Sequence, residues 1–288
     1  MFRRKEFRLK LPSRTLVLGQ RTLVMGVLNV TPDSFSDGGA FFNADAAVAR
    51  ALKMERDGAD ILDIGGESTR PGSQGVSVEE ELRRVLPVLA RLRGKLKIPI
   101  SIDTQKAAVG EGAARAGAEI INDISALRGD PALAEVVWRH KLPVILMHMR
   151  GEPRTMQKGP FARDVMQDVT RGLCAAAVRA QKAGVRESQI ILDPGIGFGK
   201  SYEQNCELLA KLPELAKLGY PLLVGTSRKA FIGAILGGAK TLPPEERLWG
   251  TAATVVASIL GGAHIVRVHD VKQMAQVARV ADAIMNSW

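Results

Sequence analysis

Asn29, Asp103, Asn122, His148, Asp193, Ser227, Arg267 and His269 share one placement: each ends a short apolar run, as Asp63 and Glu67 do in a further one. Gathered at one opening, the carboxylates of Asp103 and Asp193 and the amide of Asn122 would match the donor and acceptor edge of a flat heterocycle with adjacent N–H and carbonyl groups. A divalent metal is the alternative use, but no His-x-x-x-His pattern or carboxylate cluster at ligand spacing supports an all-protein cage. Arg267 and His269 lie two residues apart, so their side chains share one side of a strand. Gly225-Thr-Ser-Arg-Lys229 leads into an apolar helical stretch. Ser227 or Thr226 could cap that helix, with Lys229 in its first turn, an arrangement that favours anions.

The apolar runs are LVMGVLN, DILDIGGE, IPISID, EIINDI, PVILMHM, QIILDPG, PLLVGTS and HIVRVHD, and helical patterns separate them. Parallel strands buried on both faces read this way. Eight units imply an α/β fold, the (β/α)8 TIM barrel, with chemistry at the carboxyl ends of the strands and anions held near the seventh and eighth. Helices are expected at Ala44–Asp57, Val78–Arg93, Gln105–Ala116, Ala132–Arg139, Asp164–Ala183, Tyr202–Leu218, Glu245–Leu260 and Val271–Met285, with a short extra one after Ser227. FRLKL, the Pro12-Ser13-Arg14 turn and TLVLG make an amino-terminal β-hairpin over residues 1–20 that closes the barrel bottom.

With 288 residues, 46% hydrophobic and 24% charged, the chain fits one barrel domain. Charged residues and Pro12 follow Met-Phe-Arg-Arg-Lys, so no export signal is expected. The uncharged window Gly250–Val266 contains Gly261-Gly262 and reads as helix, turn and strand, not a membrane span. Cys174 and Cys206 form no close-spaced pair, which suits a reduced, cytoplasmic protein. The net charge of +10 is concentrated before residue 22 in Arg3, Arg4, Lys5, Arg8, Lys10, Arg14 and Arg21. Without interleaved aromatics or a recognisable motif, this basic end reads as a solvated face, not a nucleic-acid groove.

Two polar, glycine-rich loops follow the first and second runs: Asn29–Gly39, carrying Asp33 and Asp37, and Gly65-Gly-Glu-Ser-Thr-Arg-Pro-Gly72. On one barrel face they read as lids. Asp193-Pro-Gly-Ile-Gly-Phe-Gly-Lys-Ser201 fits neither G-x-G-x-x-G, its glycines falling at 195, 197 and 199, nor a P-loop, whose first glycine would be Pro194. It reads as a tight turn with Phe198 on an exposed loop. His148 reads as a packed strand-end histidine, Met25 as core, and Met147 or Met149 as an apolar wall for a ring.

NVTPDSFSDGG, DIGGESTRPG, SIDT, INDIS, MHMRG-x-P-x-TMQ, DPGIGFGK, SRK and RVHDV occur in this order, and the ordered set resembles the dihydropteroate synthase family, the sulfonamide target of folate biosynthesis. The likeness runs from about Leu23 to Ile284. It implies a transferase, usually a homodimer, joining 4-aminobenzoate to 6-hydroxymethyl-7,8-dihydropterin diphosphate with loss of diphosphate. By the same resemblance, Asp103, Asn122, Asp193 and Lys229 hold the pterin. Asn29, through Mg2+, with Arg70, Arg267 and His269 holds the diphosphate. Thr69, Arg70, Pro71, Phe198 and Lys229 shape the aminobenzoate pocket. The C–O bond breaks before amine attack, giving a cationic methylene that Asp33 helps stabilise, so Asp33, Lys229, Arg267 and His269 are the catalytic set.

An arylamine needs no strong activation, which agrees with the lack of a Ser-His-Asp pattern. One departure is Ala230, where many relatives carry Ser against the aminobenzoate carboxylate; Ser227, the helix amino terminus or backbone N–H groups are expected to retain it. Gln105 stands where relatives often have an aromatic residue. A methyltetrahydrofolate-dependent methyltransferase would share the acidic pterin edge but needs no diphosphate cradle. A pterin-binding paralogue without turnover is the other alternative, and both lid loops argue against it.

Overall fold

The barrel expected from the eight runs is present in the computed structural model, which describes residues 4–31, 44–68, 72–152, 155–156 and 159–287. β1 (Phe7–Lys10) and β2 (Thr15–Leu18) form an antiparallel hairpin. The wall consists of β3 (Leu23–Asn29), β4 (Ile61–Gly65), β5 (Ile100–Asp103), β6 (Ile120–Asp123), β7 (Val144–Met147), β8 (Ile190–Asp193), β9 (Leu223–Val224) and β10 (Ile265–Val268). These run parallel in the order β8-β7-β6-β5-β4-β3-β10-β9. A parallel bridge between Leu192 and Leu222 closes the ring, with the Leu192 N–H donating to the Pro221 carbonyl at 3.0 Å.

Around it lie α1 (Ala44–Arg56), α2 (Val78–Leu92), α3 (Ala107–Arg115), α4 (Leu133–His140), α5 (Val165–Lys182), α6 (Tyr202–Ala210), α7 (Leu212–Ala216), α8 (Ala230–Gly237), α9 (Leu248–Leu260) and α10 (Val271–Asn286). Local chemistry starts several of them. Ser77 accepts from the Glu80 N–H, and Ser201 and Gln204 cap each other's backbone at the start of α6. The expected helix over Tyr202–Leu218 is instead two, because Pro213 has no N–H to give Leu209 and its ring would strike that carbonyl. The helix expected from Glu245 begins with a 3-10 turn, Pro244–Arg247, before α9. None of the described helices is long and apolar enough to cross a membrane.

Two apolar layers fill the fold. Outward strand residues such as Val24, Ile64, Ile102 and Ile121 pack against the helices. Inside the lumen, Met25, Ile61, Ile120, Ile145, Ile191, Leu223 and Ile265 form a plug, and Leu9, Leu11 and Leu18 of the hairpin cover it. Side chains alternate along a strand, so whatever stands two residues after a plug residue must enter the same lumen one level higher. Those positions are Val27, Asp63, Asn122, Met147, Asp193, Gly225 and Arg267, four of them polar. The plug's geometry therefore delivers the polar mouth.

The basic amino-terminal end is not wholly solvated, contrary to the sequence reading. Arg4 is 4% exposed and donates to Asp282 at 2.5 Å, to Thr22 Oγ1 at 2.7 Å and to the Ala263 carbonyl at 2.9 Å. Asp282 also accepts from the Thr22 N–H and hydroxyl, at 2.7 and 2.8 Å. The network ties the chain start to α10. Asp282→Ala would strand a buried guanidinium, so urea unfolding should show a loss of about 3–5 kcal/mol. A loss below about 1 kcal/mol, the range for an exposed pair, would contradict this role.

Candidate functional site

Arg267 stands at the centre of the lumen. Its Nε donates to Asp63 Oδ2 and its Nη2 to Asp103 Oδ2, each at 2.7 Å. Asp63 Oδ2 also accepts from Asn122 Nδ2 at 3.0 Å. Because a carboxylate can only accept there, the Asn122 amide is orientated: nitrogen toward Asp63, oxygen toward the mouth. Register reinforces the grouping, pairing Asn29 with Gly65, Gly65 with Asp103, and Asp103 with Asn122 across β3 to β6.

Opposite this set, Asp193 Oδ1 accepts from the Gly195 N–H at 2.7 Å. The turn that follows doubles back tightly: a Cβ on Gly195 would lie 2.0 Å from the His148 carbonyl oxygen, and φ there is +65°. Lys200, 2% exposed, ties the turn from within, its Nζ donating to the carbonyls of Gly195 and Phe198 at 2.9 Å and of His148 at 3.3 Å. Phe198 is 8% exposed, so the exposed-loop reading is corrected. It packs with Ile124, Met147, Met149 and Met156, forming the apolar wall, while Lys229 Nζ lies 3.9 Å from its ring centre.

The Ser227 reading also changes. Lys229 is itself the residue preceding α8, and no side chain caps that helix. The Ser227 hydroxyl lies 3.1 Å from both the His269 backbone nitrogen and its Nδ1, and Thr226 Oγ1 accepts from Thr254. His148 is packed as expected, just after β7, its side chain largely covered and set against the backbone of Gly172.

Burial governs the electrostatics. It pushes Asp193 up to about 6, against the pull of Gly195, Lys229, Lys200 and Arg267. It likewise raises Asp103 to about 7; the charge of Arg267 opposes this, while Asp63, Glu81 and Asp123 add to it. Lys229 is lowered to about 8 by burial and then by Arg267, with Asp193 and Asp103 opposing. His269 falls to about 3 through burial and the cations Arg267, Arg228 and Lys229, so its ring is neutral. These opposed shifts mark a desolvated site with both signs of charge in reach.

The structure thus brings Asp103, Asn122, Asp193, Phe198, Lys229, Arg267 and His269 to one mouth, with Asn29 on its rim. Asp33, Thr69, Arg70 and Pro71 lie outside the described residues. At the base of the second loop, Lys106 pairs with Glu67 and, at 2.5 Å, with Glu81. Two contributors carried no role in the sequence reading. Asp63 is signalled by its strand parity with Ile61. Lys200 gives no signal through its residue type, because its acceptors are backbone carbonyls, two in its own turn and one at His148, 52 residues away.

Comparison with known proteins agrees with this geometry. A family model described as pterin binding enzyme matches residues 25–269. A dihydropteroate synthase of Synechocystis sp. is 53% identical over 266 residues, covering 92% of this chain and 91% of that protein. The Yersinia pestis dihydropteroate synthase in a sulfonamide drug complex superposes with a TM-score of 0.91 at 45% identity, over 97% of this chain and 100% of that one. The Xanthomonas albilineans dihydropteroate synthase with 4-aminobenzoic acid gives 0.90 at 45% identity, over 97% and 98%. On the match across the barrel and these relatives, the chain belongs to the pterin-binding enzymes, in the dihydropteroate synthase family of transferases.

Proposed function

We propose that this barrel mouth joins 4-aminobenzoate to 6-hydroxymethyl-7,8-dihydropterin diphosphate, releasing diphosphate and 7,8-dihydropteroate. The observation that carries it is the Arg267 guanidinium, bonded to two lumen carboxylates beside Asn122, with Lys229 and His269 near enough to shift with its charge. The committed amide of Asn122 leaves Asp103, Asn122 Oδ1 and Asp193 as acceptors for the ring's N–H groups, and Lys229 as donor for its carbonyl. No described residue takes Arg267 Nη1, which is left for a phosphate oxygen.

Among described residues no group of three His, Cys, Asp or Glu could hold a metal. Asn29 offers one hard amide oxygen at the rim, which suits Mg2+ that takes its remaining ligands from substrate phosphates and water. When bound, Mg2+ would neutralise charge on the diphosphate. Arg267 does the same from the protein as the C–O bond lengthens, the neutral His269 ring adds a hydrogen bond, and the cationic methylene is then taken by the arylamine. Phe198 and its methionine neighbours exclude water from the ring face. Asp33 and the pocket residues Thr69, Arg70 and Pro71 complete the proposal by resemblance. So does a homodimer, for which Trp249, 80% exposed, with Ile235 and Leu236 offers an apolar face.

Mixing the purified protein with both substrates and Mg2+ should yield 7,8-dihydropteroate; no product with either substrate in excess would refute the reading. Lys229→Ala and Arg267→Ala should each cut turnover at least tenfold while the fold stays intact by circular dichroism, and wild-type turnover in both would place the anion site elsewhere. Asp193→Asn should weaken pterin binding by about 1.5–3 kcal/mol, read by calorimetry, with unchanged affinity counting against its role. Asp103 and Asp193 sit above the ordinary carboxylate range, so below pH 6 they hold protons that a donor-rich ring must displace. Pterin affinity should therefore rise between pH 5.5 and 7.5 with net proton release; a flat profile would contradict ionised carboxylates as the acceptors.

A further inference from the structure

Ser227 Oγ lies 3.1 Å from the His269 backbone nitrogen and 3.1 Å from Nδ1 of the same residue. The backbone N–H can only donate, so it occupies a lone pair of the hydroxyl. The hydroxyl hydrogen then needs an acceptor, and Nδ1 is the one that the described residues supply. A ring nitrogen that accepts carries no proton, which leaves the proton of a neutral imidazole on Nε2. The geometry is held by a second tie between the same two segments: Arg228 donates to Asp270 through Nε at 3.0 Å and Nη2 at 2.5 Å. Ser227 itself is buried, so water does not compete for its hydrogen.

We infer that Ser227 is a positioning residue that fixes the His269 ring as its Nε2–H tautomer, so that it presents a hydrogen-bond donor to an anionic group at the mouth. The role toward an anion rests on the diphosphate reading above; the tautomer does not. Burial and the surrounding cations keep the ring neutral, so His269 contributes a directed N–H and not a charge. A neutral imidazole without this control could turn a lone pair toward the phosphate oxygens, which repels where the N–H attracts. No proton leaves the ring in this role: Nε2–H donates a hydrogen bond to the departing oxygens, and Nε2 keeps its proton when diphosphate goes.

Protein labelled with 15N at its four histidines separates the two parts. At pH 7 without ligand, the His269 signals, assigned by loss in His269→Gln, should show a pyridine-like Nδ1 and a pyrrole-like Nε2. Ser227→Ala should lose that pattern, and Ser227→Thr should restore it. Inorganic diphosphate with Mg2+ should bind Ser227→Ala about tenfold more weakly than wild type, with Ser227→Thr near wild type and affinity for unphosphorylated pterin unchanged in both. A protonated Nδ1 in the wild type, or an unchanged spectrum in Ser227→Ala, would overturn the tautomer assignment. Failure of diphosphate to bind the wild type, with the Nε2–H spectrum as expected, would overturn the diphosphate reading and the donor role with it.

Discussion

A guanidinium held between two carboxylates inside a barrel organises everything above the apolar plug. Arg267 meets Asp63 and Asp103 in the lumen, and Asp63 turns the amide of Asn122 in the same stroke. Taking such charges out of water is expensive, and their mutual attraction offsets this only with good geometry and further hydrogen bonds. Asp63 Oδ2 has both, taking Arg267 and Asn122, whereas Oδ1 of the same carboxylate is buried without a partner among the described residues. The arrangement is thus better understood as a device for orientation than as a source of stability: it fixes which atoms face the mouth before any ligand arrives.

The desolvation that makes this core costly also tunes it. Asp103 and Asp193 move toward neutral pH from below, and Lys229 moves toward it from above. A ligand bearing both N–H donors and phosphate charge would add partners to groups on which burial and attraction act in opposite directions. The cluster of Met147, Met149, Met156 and Phe198 lies beside these groups, so an aromatic ring would find a soft apolar face and a polar edge in one place.

Much of this was legible because strand parity is strict. Ile120 and Asn122, Ile191 and Asp193, and Ile265 and Arg267 are each two apart, so plug and site could be read from one alternation. What escaped depends on contacts between distant segments. Phe198 looked exposed because its partners Met147 and Met149 come from another strand and its loop. Ser227 looked like a helix cap because its true partner, His269, is 42 residues away. Arg4 looked solvated because Asp282 lies 278 residues along the chain. The break in the helix after Ala210 did have a local cause, Pro213, and the periodicity of the flanking residues masked it.

The account stands or falls on one substrate spanning both halves of this mouth. A crystal structure of the protein with an unreactive pterin diphosphate analogue and Mg2+ tests that directly. The ring should lie within hydrogen-bond distance of Asp103, Asn122 and Asp193, with the diphosphate against Arg267 and His269. An analogue seated at the hairpin end of the barrel, or with its diphosphate remote from Arg267 and His269, would contradict it.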